Sequence, residues 1–169
     1  MNYFELFSLP VAFQIDQARL SEIYRELQKQ AHPDKFAMHD DAQRLRAMQQ
    51  STEINDAYQT LKNSCLRAQY MLSLVGVDMA MEQKTLQDTT FLMQQMEWRE
   101  RIADFTDQDE DEIDLFAIQI KRQVASLESL IAEQLQNKNF QAAADSVRKL
   151  KFMSKLQTEL ELVEEKLFD

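Results

Sequence analysis

The amino-acid sequence predicts an all-α protein with two domains. Apolar residues recur at the three- and four-residue spacing of amphipathic helices along most of the chain. Of the 169 residues, one is Gly and two are Pro, whereas average usage would give roughly twelve and eight. So few turn residues exclude a β-sandwich, a β-barrel and a glycine-rich phosphate loop. The apolar content of 44% is high enough to form a packed core.

The N-terminal third predicts a short helix followed by a long one. A short apolar segment (YFELF, residues 3–7) stops before Pro10. Asp16 is a candidate N-cap for the amphipathic helix that follows. That helix is expected to end near Ala31, because Pro33 disfavours helical geometry at the residue before it.

Two more helices complete the predicted N-terminal domain. After a predicted loop at 34–40, a second long helix is expected to begin near Asp40–Asp41. A weak break at 63–64 separates it from a short apolar helix. Gly76, the only glycine, suits the position just after that helix.

The rest of the chain predicts an antiparallel three-helix bundle. Residues 77–88 show no apolar periodicity, whereas three helical stretches follow them, the last two joined by a short turn at 137–139. Long helices joined by a short loop pack as antiparallel neighbours. The predicted parts are an N-terminal domain at 1–75, a linker at 76–89 and the bundle at 90–169.

Net charge differs between the two halves. The chain carries a formal charge of −10, which disfavours nucleic acid as the main partner because the phosphate backbone would be repelled. Residues 1–75 hold 8 basic and 9 acidic side chains, and residues 76–169 hold 11 and 20. The halves therefore present different electrostatic surfaces, which suggests two different partners.

The sequence carries no sign of a secreted or membrane protein. Cys65 is the only cysteine, so neither an intrachain disulfide nor a thiolate zinc site is expected. No apolar run approaches the roughly 18 residues of a membrane span. The first basic residue is Arg19, which does not fit a signal peptide or an arginine-rich transit peptide. These features favour the cytoplasm.

Catalytic and metal-binding constellations are weak in this sequence. The two histidines, His32 and His39, have no carboxylate pair at helical spacing beside them. The acidic run at 107–114 begins like a calcium loop but places Glu112 where that loop needs Gly. We therefore expect these acids to precede or to enter the first turn of the next helix. We expect no enzyme activity, no metal and no cofactor, with a metal-dependent enzyme as an alternative.

The tripeptide His32-Pro33-Asp34 is the most informative polar motif. Proline stiffens the segment, so an imidazole and a carboxylate can be presented outward at low entropic cost. On the preceding helix, Arg25 and Lys29 lie opposite the apolar stripe, and Lys35 follows the tripeptide. This pattern suits docking onto an acidic protein surface. The alternative is an ordinary solvated helix face with a turn.

The predicted helix at 90–105 has two apolar faces. At about 100° per residue, the larger aromatic face contains Phe91 and Trp98, together with Ile102 and Phe105, and is expected to be core. The second face lies about 160° away and is formed by Leu92, Met93 and Met96, with Glu97, Arg99 and Glu100 around it. Phe152, at the edge of the last helix's apolar stripe, could extend this patch. Exposed apolar patches rimmed by charge mark interaction sites. The alternative is that the N-terminal domain packs on this patch and buries it.

Several motifs together resemble a known family. Residues 1–75 resemble a J-domain, through the HPD tripeptide and INDAYQTL at 54–61 with LRAQY at 66–70. The whole chain resembles the HscB family of iron–sulfur co-chaperones, through YFELF at 3–7, FLM at 91–93, AAAD at 142–145 and RKL at 148–150.

The resemblance implies a fold and a function. The fold would be a J-domain, a helical hairpin with two short flanking helices, followed by a three-helix bundle. The J-domain would stimulate ATP hydrolysis by a specialised DnaK-type chaperone, and the bundle would carry the iron–sulfur scaffold protein to it. The chaperone-binding residues would be His32, Pro33, Asp34, Tyr24, Arg25, Lys29 and Lys35, and the scaffold-binding residues Leu92, Met93, Met96, Glu97, Arg99, Glu100 and Phe152.

Two further functions remain open on the sequence. One is a general J-domain co-chaperone whose bundle binds unfolded chains. The other is a structural helical adaptor without effect on any ATPase. General DnaJ proteins carry a Gly/Phe-rich linker and cysteine-rich zinc repeats, and this sequence has neither, which favours the specialised type.

Overall fold

All regular structure in the described residues is helical. The computed structural model describes residues 1–36, 39–79 and 88–169. The α-helices are α1 (Tyr3–Leu6), α2 (Gln17–Ala31), α3 (Asp41–Lys62), α4 (Ser64–Leu74), α5 (Thr89–Asp104), α6 (Glu110–Gln136) and α7 (Phe140–Phe168). Within the three described ranges, no helix combines the length and apolar character that crossing a bilayer requires. The chain divides into two compact units, Met1–Leu74 and Val75–Asp169.

Helix ends in the first unit follow local side-chain chemistry. The Asp16 carboxylate accepts a hydrogen bond from the Arg19 amide at 3.1 Å and caps α2. The helix ends at Ala31, and His32 takes an extended conformation (φ −60°, ψ 132°) of the kind that a following proline imposes. Asp40 caps α3 in the same way through the Gln43 amide. These predicted boundaries are confirmed.

The segment after α2 differs from the predicted loop. Residues Pro33–Phe36 form a 3₁₀ helix, in which the Lys35 amide donates to the His32 carbonyl at 3.0 Å. Proline supports such a turn because it supplies a fixed φ at the first position, where its missing N–H has no intrahelical partner. Residues 37–38 of the predicted loop lie outside the described residues.

The first unit is a helical hairpin flanked by two short helices. α2 and α3 pack against each other around a core that includes Leu20, Ile54 and Leu61. Tyr3 of α1 stacks on Tyr70 of α4 with ring centroids 4.5 Å apart, and the Tyr3 amide donates to the Tyr70 hydroxyl at 2.9 Å. This contact joins the two short helices directly.

A buried arginine joins the turn before α2 to the end of α3. Arg67 is 6% exposed, and its guanidinium donates to the carbonyls of Phe13 at 2.5 Å and Leu61 at 2.6 Å. The same guanidinium lies 4.9 Å from the centroid of the Phe13 ring. Charge-assisted hydrogen bonds of this kind satisfy a cation that burial would otherwise penalise.

The second unit is a three-helix bundle, as the spacing predicts. α6 and α7 are antiparallel and are joined by a tight turn in which Lys138 has φ 58°. The aromatic face of α5 packs on both, because the ring of Trp98 meets Phe116 of α6 at 5.4 Å and the ring of Phe91 meets Phe152 of α7 at 6.2 Å. α5 and α7 run parallel, so the order of directions is up, down, up.

Two interpretations of charged and polar segments are confirmed here. The acidic residues Glu110, Asp111 and Glu112 form the first turn of α6, where the helix dipole favours negative charge. Gly76 has φ +87° just after α4, the left-handed geometry that glycine adopts most readily after a helix. Residues 80–87 of the predicted linker lie outside the described residues.

The turn after α1 stores strain that a glycine would remove. Ser8 has φ 54°, and the Leu9 amide donates to the Phe4 carbonyl at 2.8 Å across it. Left-handed geometry costs a non-glycine residue about 1 kcal/mol, so Ser8→Gly should raise the free energy of unfolding by about that amount in urea denaturation. Ser73→Gly, at a residue of α4, is the control and should lower it. Equal effects at both positions would contradict this account.

Candidate functional site

The HPD tripeptide lies at an exposed corner between α2 and α3. The side chains of His32 and Asp34 are 55% and 93% exposed, and the imidazole Nδ1 lies 3.6 Å from the Asp34 carboxylate. The Asp34 amide donates to His32 Nδ1 at 3.2 Å. This local bond orients the imidazole while both side chains face solvent.

A shallow basic cleft adjoins this corner. It has a volume of about 630 Å³. Its lining brings together His32 and four other predicted site residues, Tyr24, Arg25, Lys29 and Lys35. Arg25, Lys29 and Lys35 are exposed, so the cleft presents three cations and an imidazole to a partner. An acidic protein surface is the complement of this arrangement.

The floor of the cleft is braced by polar contacts between α2 and α3. Ser51 Oγ donates to Gln28 Oε1 at 2.8 Å, and Gln28 Nε2 donates back to the Ser51 carbonyl at 3.1 Å. The ring of Tyr24 stacks on Tyr58 at 4.0 Å, and the Tyr24 hydroxyl donates to Asn55 at 3.2 Å. Tyr24 therefore ties the basic helix to α3.

The sequence analysis missed two residues of this cleft. Gln28 and Ser51 both line it, yet they are 23 positions apart in the chain. No sequence motif links them, and only the packing of α2 on α3 brings them together. Gln28 lies one helical turn before His32. That spacing alone could have predicted that Gln28 is close to the HPD tripeptide.

The two apolar faces of α5 have opposite environments. Phe91, Trp98 and Ile102 are buried, as the wheel predicts. Met93 and Met96 are 68% and 65% exposed, and Leu92 is half-buried. Phe105 is half-buried rather than fully enclosed, because it lies past the C-terminal end of α5.

Charged and aromatic residues surround this exposed face. Glu97, Arg99 and Glu100 are exposed on α5. The Arg99 guanidinium lies 3.9 Å from the Glu159 carboxylate of α7, and Phe152 is half-buried with its ring against Phe91. The side of α5 that carries Arg99 therefore adjoins a surface of α7. Of the α7 residues on that surface, the sequence analysis named only Phe152.

Asp88 and Lys149 attach the start of α5 to α7. The Asp88 carboxylate caps α5 by accepting from the Phe91 amide at 3.0 Å, and Lys149 Nζ donates to it at 2.8 Å. The hydrogen bond from Lys149, together with that from the Phe91 amide, lowers the pKa of Asp88. The cap could be predicted from the sequence. The ion pair could not, because it joins residues 61 positions apart.

Metal-binding chemistry finds no support in the described part of the chain. Among residues 1–36, 39–79 and 88–169, no three His, Cys, Asp or Glu side chains are grouped so that they could hold a metal ion. The surfaces described above are suited to contacts with other proteins.

Comparisons with known proteins identify the family. Residues 2–70 match the family described as "DnaJ domain", and residues 87–161 match "HSCB C-terminal oligomerisation domain". A "Co-chaperone protein HscB homolog" of Psychromonas ingrahamii is 72% identical over 169 residues, covering all of both chains. The chain belongs to the HscB co-chaperone family.

Solved structures of other co-chaperones share this fold. The chaperone HscB from Vibrio cholerae is 42% identical with a TM-score of 0.89, covering 99% of this chain and 100% of that one. Human HscB is 25% identical with a TM-score of 0.88, covering 99% and 84%. The Saccharomyces cerevisiae co-chaperone Jac1 is 25% identical with a TM-score of 0.76, covering 95% and 97%. The predicted all-α fold, a J-domain followed by an HscB C-terminal helical domain, is confirmed.

Stability should depend on pH through Asp88. Because its folded pKa is lowered, the carboxylate stabilises the fold above its ordinary pKa of about 3.9, and this contribution is lost as pH falls through the lowered value. Asp88→Asn retains a good N-cap but loses the ion pair with Lys149. Its melting temperature should be below that of the wild type at pH 7, and the gap should narrow as the pH falls through the acidic range in which the Asp88 carboxylate becomes protonated. A gap that is unchanged across this range would contradict the assignment.

Proposed function

We propose that this HscB-family chain stimulates ATP hydrolysis by a DnaK-type chaperone in the cytoplasm and delivers the iron–sulfur scaffold protein to it. It performs no catalysis of its own and promotes the maturation of iron–sulfur proteins. The observation that carries this proposal is the exposure of the His32–Asp34 corner beside three cations in a chain of this co-chaperone family.

The chaperone surface consists of His32, Pro33, Asp34, Tyr24, Arg25, Lys29 and Lys35. Its cations steer an acidic partner toward the corner and set the register of binding. The short 3₁₀ helix holds the backbone at Asp34, so little conformational entropy remains to be lost on docking. The stack of Tyr24 on Tyr58 keeps the basic helix in place against α3.

The scaffold surface consists of Leu92, Met93, Met96, Glu97, Arg99, Glu100 and Phe152. Two strongly exposed methionines beside a half-buried leucine offer apolar area that water solvates poorly. Methionine side chains adapt to the shape of a partner, and the charged rim provides specificity. Carrying both surfaces on one chain raises the effective concentration of scaffold at the chaperone.

A general J-domain co-chaperone that presents unfolded clients is the second candidate. The exposed methionines favour it, because flexible methionine-rich surfaces bind varied apolar segments. Competition binding separates the two candidates. Preference for a folded scaffold protein over a denatured model polypeptide supports the specialised function, and the reverse preference supports the general one.

The carboxylate of Asp34 should be needed for stimulation but not for folding. It is 93% exposed, so Asp34→Ala removes no core contact. We expect the variant to keep the wild-type melting temperature and to lose stimulation in a steady-state ATPase assay with the DnaK-type chaperone. Asp56→Ala, at another exposed carboxylate of the same unit, is the control and should stimulate normally. Full stimulation by folded Asp34→Ala would refute the role of this corner.

The exposed face of α5 should be needed for scaffold binding. The triple variant Leu92→Ala/Met93→Ala/Met96→Ala should bind the scaffold protein at least about tenfold more weakly in calorimetry, a loss of about 1.4 kcal/mol. Its free energy of unfolding should fall by no more than about 1 kcal/mol, since Met93 and Met96 are exposed and Leu92 is only half-buried. Leu115→Ala/Ile118→Ala, at exposed apolar residues of α6, is the matched control and should bind normally. A stability loss of about 3 kcal/mol or more would mean that the α5 residues are core.

A further inference from the structure

Gln95 is a buried amide with an unpaired oxygen in the core of the second unit. It lies on α5, is 4% exposed, and donates through Nε2 to the sulfur of Met153 at 3.1 Å. A thioether is a weak acceptor. Among the described residues, no donor lies within hydrogen-bonding distance of Gln95 Oε1.

This arrangement is unfavourable for the isolated fold. A buried polar atom without a partner costs about 1–3 kcal/mol. An apolar side chain of the same length would fill the same volume without that penalty. Native structures contain few such atoms, and each one calls for a physical reason.

The position of Gln95 on α5 suggests why its oxygen is left unpaired. At about 100° per residue it lies between the buried aromatic face and the exposed apolar face. Leu92 and Arg99 are at i−3 and i+4, the spacing of direct neighbours on a helix surface, and Met96 is the next residue. Met153, whose sulfur accepts from Gln95 Nε2, follows Phe152 on α7. Gln95 therefore lies beneath the edge of the scaffold surface where α5 meets α7.

We propose that Gln95 is a further scaffold-binding residue, whose carboxamide oxygen accepts a hydrogen bond from an N–H or O–H donor of the bound scaffold protein. This inference rests on the scaffold-binding function proposed above. When a partner docks at this edge of α5, beside Leu92 and Arg99, its donor pairs the amide oxygen. Because the described part of the free protein supplies no donor, a donor from the partner contributes to affinity and to recognition of a polar group.

The other buried amide oxygen without a partner is the natural control. Among the described residues, Gln134 Oε1 also lacks a hydrogen-bond partner. Gln134 is on α6 beside the turn into α7, where its carbonyl accepts the Asn139 amide at 2.9 Å. It contributes nothing to the face formed by α5 and Phe152, so relieving its unpaired oxygen should change stability alone.

The test compares Gln95→Met with Gln134→Met in the full chain. Thermal and urea unfolding measure stability, and calorimetry with the scaffold protein measures affinity. Both variants should melt a few degrees above the wild type, about 4 °C for each unpaired oxygen removed. Only Gln95→Met should also lose affinity, by about tenfold. A gain in stability coupled to a loss of affinity is a result that a purely structural glutamine would not produce.

Other outcomes decide against the inference. If Gln95→Met is more stable and binds the scaffold protein normally, Gln95 makes no contact with it. If Gln95→Met and the differently shaped Gln95→Leu are both less stable than the wild type, the amide is satisfied in the free protein and the argument is wrong. If the wild-type chain does not bind the scaffold protein, the proposed function itself fails. Failure of the function and failure of this inference are thus distinguished.

Discussion

Burial of one face of an amphipathic helix determines the orientation of both proposed binding surfaces. Leu20 and Ala31 are buried in the first unit, so Arg25 and Lys29 on the same helix must face outward. α5 obeys the same constraint in the second unit. Its aromatic face is enclosed by α6 and α7, which leaves the exposed methionines on the other side. The buried side chains thus set the orientation of each helix, and this orientation fixes which side chains are exposed.

Backbone geometry orients the described part of the HPD corner. Proline prevents α2 from continuing through His32, and the chain then turns through a 3₁₀ helix. Asp40 caps the next helix and so limits the connection to a few residues. An imidazole and a carboxylate can therefore be exposed and still be well positioned.

In the second unit, a buried polar atom at the edge of the proposed binding face lowers the stability of the fold. Met93 and Met96 stay about two-thirds exposed in the free protein, and the buried Gln95 oxygen has no partner among the described residues. The unpaired oxygen lowers the stability of the fold, whereas the exposed methionines contribute little to it, and in the proposed complex the partner covers the methionines and pairs the amide. The large buried faces of α6 and α7 compensate for this, because Phe116, Ile120, Ile131, Leu150 and Met153 are fully enclosed.

The sequence alone determined the features that depend on local chemistry. Helix ends at Asp16, Ala31 and Asp40 follow from caps and from proline sterics, and the two faces of α5 follow from the helical repeat. Tertiary structure decided the contacts between residues far apart in the chain. Gln28 meets Ser51, Lys149 meets Asp88, and the Gln95 oxygen finds no donor within the described ranges. Such pairings depend on the rotation and axial position of one packed helix against another, which hydrophobic periodicity does not specify.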